Sequence, residues 1–367
     1  MTSSPLPTQP MRDAPSQPVS GNAIRILVIR RRYLGDIVLL GTTIANLHRH
    51  WPDAHISLLV DRAYQDVPRL IPQVDDTLVI PARATEWPGF LLRIRRQRFT
   101  HVFDFDNTER TVAAVAATGA AFRATYDRED RKTRFPRAYT CFARLSRAIW
   151  ESRPAIDTYH LLLQSSGIPT PLNELKLITG ETARLQAHRL ISGPTRKVLI
   201  HPGTRSPFRL WPTERFAALI DGIQDELGAQ VFLAGGPTDL GTIRTIRDQA
   251  KTHVIVLQQT FSVEEFAALV AQCHLFVCHD SGPMHIAAAV GTRVVALFGS
   301  QNAAIWRPHG NGHISLQTGL PCTCFPAGEL PSACVPHDAY RSYCVRKLSV
   351  EQVLDAVKSQ LEVITVG

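Results

Sequence analysis

Short apolar runs rich in β-branched residues recur along the chain, separated by stretches in which apolar residues fall three and four apart. The first kind of pattern suits strands and the second suits helices that bury one face. The predicted strands are 24–29, 55–60, 77–80 and 101–105 in the first half, and 197–201, 230–234, 253–257, 275–278 and 293–298 in the second. After the first strand, Ile37, Leu40, Ile44 and Leu47 line one face of a predicted helix. Another is predicted from Ser262, where Ser262-Val263-Glu264-Glu265 reads as a capping box ahead of Phe266, Leu269 and Val270. Strand and helix in alternation argue for parallel α/β layers, against a sandwich or a helical bundle.

Punctuation divides this pattern. At 367 residues the chain exceeds one core of roughly 150 residues, so two domains are expected. Pro154, Pro169, Pro171 and Pro194 lie in or near the stretch 166–195, the expected connection, and the boundary is placed near Gly180. Residues 1–22 are rich in Pro, Ser and Thr and carry no apolar run of signal-peptide type, which predicts a flexible tail. A final helix over 349–363 is expected to pack back across the first domain.

Composition narrows the function classes. Apolar residues at 44% and charged residues at 20% are ordinary for a globular protein, which confines disorder to the ends. No stretch reaches the roughly 20 consecutive apolar residues of a membrane helix. Seven cysteines without an export signal predict free thiols in a reducing, cytoplasmic compartment. A net charge of +8 favours an anionic partner: a phosphorylated small molecule, an anionic lipid surface or nucleic acid.

The segment most suggestive of chemistry follows the strand at 275–278. Pro283 to Val290 reads as a helix with proline in its first turn, and His279-Asp280-Ser281-Gly282 fills the gap between strand and helix. Free backbone N–H groups at such a helix start face the carboxyl edge of a parallel sheet, where a diphosphate would sit. Gly282 permits close backbone approach, Ser281 offers a hydroxyl, and His285 lies on the first turn. The same residues also fit a plainer reading in which Asp280 and Ser281 cap a helix and His285 lies on the surface.

The order and length of the segment carry more. His279-Asp280-Ser281-Gly282-Pro283-Met284-His285-Ile286-Ala287-Ala288-Ala289-Val290-Gly291-Thr292, followed by Val294-Val295-Ala296-Leu297-Phe298-Gly299, resembles the donor-site signature of the glycosyltransferase family 9 heptosyltransferases. Ile26-Leu27-Val28-Ile29 with Leu34-Gly35-Asp36 is similar to that family's opening strand and GD turn. His201-Pro202-Gly203 with Arg209-Leu210-Trp211-Pro212, and then Gly235-Gly236-Pro237, resemble the start of its second domain. The resemblance runs from about Ile24 to the C-terminus.

The resemblance implies roles. Asp280 would contact the donor sugar, while Ser281, Gly282 and His285 would hold an ADP diphosphate. Asp36 would be the base that takes the acceptor's proton, where chemistry alone favours a helix N-cap or first-turn Asp. Arg209 stands where the family commonly has Lys and would neutralise the leaving diphosphate; a surface charge is the alternative. Thr204 and Arg205 are weaker donor-side candidates, and Asp239 lies where the family often has an acidic residue near the ribose.

Arg30, Arg31 and Arg32 crowd the turn before Asp36, and Arg128, Arg131, Lys132, Arg134 and Arg137 form a second basic stretch. These are candidate grips on an anionic acceptor and on the inner membrane face bearing it, with Arg30, Arg32 and Arg134 as named acceptor contacts; a solvated loop explains the second stretch equally well. Nucleic acid is not expected, since no binding module accompanies the charge. Cys322, Cys324, Cys334 and Cys344 are spaced unlike the usual paired C-x-x-C, so reduced thiols are expected over a metal site. Cys141, Cys273 and Cys278 read as core.

Together these give a GT-B-like α/β fold, two Rossmann-like doubly wound parallel-sheet domains facing an interdomain cleft. The expected parts are a tail 1–22, an acceptor-binding domain 23–180, a nucleotide-sugar-binding domain 181–347 and a C-terminal helix 348–367. The reaction implied is metal-independent, cofactor-free, inverting transfer of a heptose-like sugar from an ADP-linked donor to a lipopolysaccharide-core or related anionic glycolipid acceptor. A relative using another nucleotide sugar or a protein acceptor, and a nucleotide-binding module without catalysis, are the alternatives. A Rossmann dehydrogenase, the third option, is not expected because the first turn has only Gly35 and no G-x-G-x-x-G.

Overall fold

The computed structural model describes residues 23–193, 195–205, 209–257, 259–319 and 345–366. The tail expected at 1–22 and the cysteines at 322, 324, 334 and 344 lie outside the described residues. The chain divides into two compact units, Met1–Asn173 and Glu174–Gly367.

In the first unit the elements run β1 (Arg25–Ile29), α1 (Leu34–His50), β2 (His55–Val60), β3 (Asp76–Val79), α2 (Trp87–Arg96), β4 (His101–Asp104), α3 (Glu109–Thr118), β5 (Phe122–Arg128), β6 (Cys141–Leu145), α4 (Arg147–Ser152) and α5 (Ala155–Gln164). Every strand pairing is parallel, in the order β3-β2-β1-β4-β5-β6. Ile26 to Ile29 of β1 are fully buried, which accounts for their unbroken apolar run. Ile37, Leu40, Ile44 and Leu47 of α1 are equally buried, each worth about 1.5–3 kcal/mol over an exposed position. The winding reverses between β1 and β4, so the loops leaving their carboxyl ends diverge and open a crevice there.

The second unit runs α6 (Glu181–Leu190), β7 (Lys197–His201), α7 (Thr213–Asp225), β8 (Gln230–Leu233), α8 (Leu240–Gln249), β9 (Ile255–Val256), α9 (Val263–Ala271), β10 (Leu275–His279), α10 (Gly282–Ala289), β11 (Arg293–Phe298), α11 (Ala303–Trp306), β12 (Ile314–Gln317) and α12 (Val350–Val366). Its sheet is also wholly parallel, β12-β11-β10-β7-β8-β9, with its reversal between β7 and β10. The capping box at α9 is present: Ser262 Oγ accepts from the Glu265 amide at 3.2 Å and Glu265 Oε2 accepts from the Ser262 amide at 2.7 Å. No described helix is long and apolar enough to cross a membrane.

Three features differ from expectation. Strands β5, β6 and β12 fall outside the predicted set: β5, Phe-Arg-Ala-Thr-Tyr-Asp-Arg, runs into the basic stretch, β6, Cys-Phe-Ala-Arg-Leu, is short and broken by an arginine, and β12, Ile-Ser-Leu-Gln, is half polar. The stretch expected to be a connection contains helix α6, whose Ala183 and Ala187 join the core beneath α9. The C-terminal helix is part of the second unit: Val353, Val357 and Leu361 of α12 belong to that unit's core with Phe216, Ile220 and Leu297. Leu361→Ala is accordingly expected to destabilise that unit by about 2–5 kcal/mol, read as a lower urea midpoint in its unfolding transition.

Candidate functional site

In the second unit the sequence-selected residues converge at the reversal between β7 and β10. β10 ends at His279, Asp280 follows, Ser281 occupies the N-cap position and α10 begins at Gly282 with proline in its first turn. Ser281 makes no capping bond with its side chain, and its buried Oγ has no partner among the described residues. The plainer capping reading therefore leaves that hydroxyl unexplained. Asp280 and His285 are both buried, at 7% and 4% exposure, so His285 is no surface residue. Arg209 Nη1 lies 3.2 Å from Asp280 Oδ2 and 3.4 Å from the Asp280 carbonyl oxygen. Unlike a surface charge, it is held at the strand end.

The segment bearing Arg209 is anchored by groups the sequence did not single out. The Trp211 amide donates to His279 Nε2 at 2.9 Å, and the Trp211 indole donates to the Leu348 carbonyl at 3.0 Å. Arg215 Nη1 also donates to the carbonyls of Arg346 and Leu348. Burial pushes His279 down to about 3, so its ring is neutral and accepts through Nε2. Burial likewise lowers His201, with Asp239 acting in the opposite direction.

Asp239 has a bracing task. Its Oδ2 accepts from the Gly236 amide at 2.8 Å, and a Cβ on Gly203 would meet its carboxylate carbon at 2.3 Å. The glycine turns after β7 and β8 thus close around one carboxylate, a use that competes with holding a ribose. Thr204 and Arg205 continue the loop after His201. A helix start with its free backbone N–H groups, a hydroxyl and an arginine together have the chemistry that suits an anion.

In the first unit Asp36 lies in the first turn of α1 beside the reversal between β1 and β4. The N-cap position belongs to Tyr33, so Asp36 is not the cap. Its Oδ1 accepts from Tyr159 Oη at 2.7 Å and pairs with Arg30 Nη2. Arg30 Nη1 donates to the Phe105 carbonyl at 2.9 Å and to Asp106 Oδ1 at 3.2 Å. Arg30, expected as an acceptor grip, has both terminal nitrogens engaged inside the unit, a use that competes with that role. Arg31 pairs with Asp61 at 3.0 Å and is almost fully buried, whereas Arg32 stays half exposed, 3.6 Å from Asp61.

The second basic stretch is largely balanced. Arg128 stacks 3.7 Å over the Trp150 ring and pairs with Asp130, Lys132 lies 3.6 Å from Asp127, and Arg134 is exposed and paired with Glu109. Cys141, Cys273 and Cys278 are buried thiols. Among the described residues no group of three or more His, Cys, Asp or Glu is arranged to hold a metal ion.

Hydropathy hid the missed residues. Tyr159 shares the apolar face of α5 with Ile156 and Leu162 and reads as core, and only its hydroxyl, which needs a partner when buried, distinguishes it.

Comparison with known proteins adds to this geometry. Residues 90–326, well over half of the chain, match the family model for glycosyltransferase family 9 (heptosyltransferase). The chain is 25% identical over 305 residues to an Escherichia coli lipopolysaccharide heptosyltransferase 3, covering 78% of this chain and 87% of the relative. Among solved structures, a family 9 glycosyl transferase from Veillonella parvula aligns with TM-score 0.79 at 25% identity, over 93% of this chain and 99% of that one. The E. coli ADP-heptose lps heptosyltransferase II shares the fold at TM-score 0.76 and 19% identity, over 93% of this chain and 100% of that one.

Proposed function

The chain belongs to glycosyltransferase family 9, and from that membership we propose that it transfers a heptose-like sugar, with inversion and without a metal, from an ADP-linked donor to a lipopolysaccharide-core or related glycan. It is a glycosyltransferase whose relatives are lipopolysaccharide heptosyltransferases. The observation that carries the reading is the gathering of Arg209, Asp280 and the unpartnered Ser281 hydroxyl where α10 begins. In this assignment the α10 start, Ser281 and His285 receive the diphosphate of ADP, and Asp280 meets the sugar. Thr204 is assigned to the same donor side.

The acceptor oxygen attacks the anomeric carbon, the bond from that carbon to the phosphate oxygen breaks, and ADP departs with the electron pair. Arg209 supplies the positive charge that a departing diphosphate requires, and Asp36 receives the acceptor's proton. Arg32 and Arg134 are the exposed cations assigned to the anionic acceptor.

Calorimetric titration with ADP, UDP and GDP tests the donor. ADP is expected to bind at least about tenfold more tightly than the others, a difference of roughly 1.4 kcal/mol. Acceptor-dependent consumption of ADP-heptose should accompany it. Preference for UDP or GDP would overturn the donor assignment.

A further inference from the structure

Every contact to the Asp36 carboxylate converges on a single oxygen. Tyr159 Oη donates to Oδ1 at 2.7 Å and Arg30 Nη2 pairs with Oδ1, while Oδ2 has no hydrogen bond among the described residues. Arg30 is fixed in turn from its other side by the Phe105 carbonyl and Asp106 Oδ1. Asp106 is fixed too, its Oδ2 accepting from the Arg31 amide at 2.7 Å. The Tyr159 ring stands edge-on to Phe105, with centroids 5.5 Å apart, and the Arg30 guanidinium carbon lies 5.7 Å from its centre.

We infer that Tyr159, Arg30 and Asp106 form a positioning set which holds Asp36 by Oδ1 and presents Oδ2 alone to the acceptor hydroxyl. The inference rests on the assignment of Asp36 as the base. Anchored on one oxygen, a carboxylate cannot rotate to offer a hydrogen-bonded face, so the free lone pairs of Oδ2 keep one direction. Asp106 divides the guanidinium between two carboxylates, so that Asp36 does not command the whole cation.

The surrounding groups suit these tasks. Burial raises Tyr159 well above the usual phenol range, which keeps its hydroxyl protonated as a donor. Burial works against the charge on Arg30, yet Tyr159, Asp36 and Asp106 outweigh it and the guanidinium is held more firmly charged than usual. Burial pushes Asp106 up to about 6 against the pull of Arg30. Around them, Tyr126 of β5 is a neutral donor to the Thr158 carbonyl, Asp104 of β4 accepts from Tyr139 Oη, Arg31 is paired with Asp61, and His160 of α5 bonds Thr42.

Two substitutions that keep side-chain shape test the set, each in the full chain and checked first for an unchanged melting temperature. Tyr159→Phe removes a donor to Asp36 and should lower kcat about 10- to 100-fold with donor KM unchanged. It should also move the acid limb of the kcat profile upward, because an ionised carboxylate loses a hydrogen bond. Asp106→Asn removes a negative neighbour and returns Arg30 to Asp36, so the same limb should move downward. Opposed shifts support the set, since general structural damage would not separate the two directions. A wild-type rate and pH profile for Tyr159→Phe, or shifts in one direction for both variants, would overturn it. Asp36→Asn in parallel separates the two readings: if that variant turns over normally, the base assignment falls, whereas if it is inactive while Tyr159→Phe is wild-type, only the positioning set falls.

Discussion

Asp36→Asn is expected to lower kcat by about 10²- to 10⁴-fold, the range a general base contributes, while leaving ADP affinity unchanged. Asparagine keeps the shape of the side chain, and its carbonyl oxygen can still accept from Tyr159. Arg30 would retain Asp106 and the Phe105 carbonyl, so the buried cation is not orphaned and the unit should fold. What is lost is the capacity to take a proton. Steady-state turnover of ADP-heptose with acceptor, set beside an ADP titration, separates the two effects. Turnover at the wild-type rate would sink the assigned mechanism.

Arg209→Met should produce the second large effect, a fall in kcat/KM of about 10²- to 10³-fold with ADP binding weakened less. The guanidinium lies 3.2 Å from Asp280, just ahead of the α10 start, and departure of a diphosphate builds charge beyond what bound ADP already carries. Arg209→Lys should recover part of the loss, since lysine restores the charge without the planar fork. The same family often has lysine at this position, so a fully inactive lysine variant would mean that the fork itself, and not the charge, is what the site uses. Single-turnover kinetics would place the defect in chemistry or in product release.

Much of this was legible in the chain because its physics is local. The strands buried on both faces announce themselves as apolar runs, and the spacing of Ile37, Leu40, Ile44 and Leu47 fixes the face of α1. The order Asp280-Ser281-Gly282-Pro283 marks a helix start by its turn chemistry. What was hidden is whatever the sheet assembles from distant segments. Arg30, read as a free basic residue, is buried by Asp106, which lies 76 positions away, and by Tyr159. Asp239, which the resemblance placed near a ribose, meets Gly203 and the Gly236 amide through contacts between loops that no local pattern announces. Strands β5, β6 and β12, with mixed polarity, depend on their neighbours for pairing more than on their own pattern.

The Trp211 indole and the Arg215 guanidinium both end on carbonyls of residues 346–348, at the root of α12. The last stretch of the chain is therefore a foundation stone under the segment that carries Arg209, although it lies far from Arg209 in sequence. Trimming the C-terminus to tidy the protein for crystallisation, or loading a bulky fusion onto it, would act on the cradle from below.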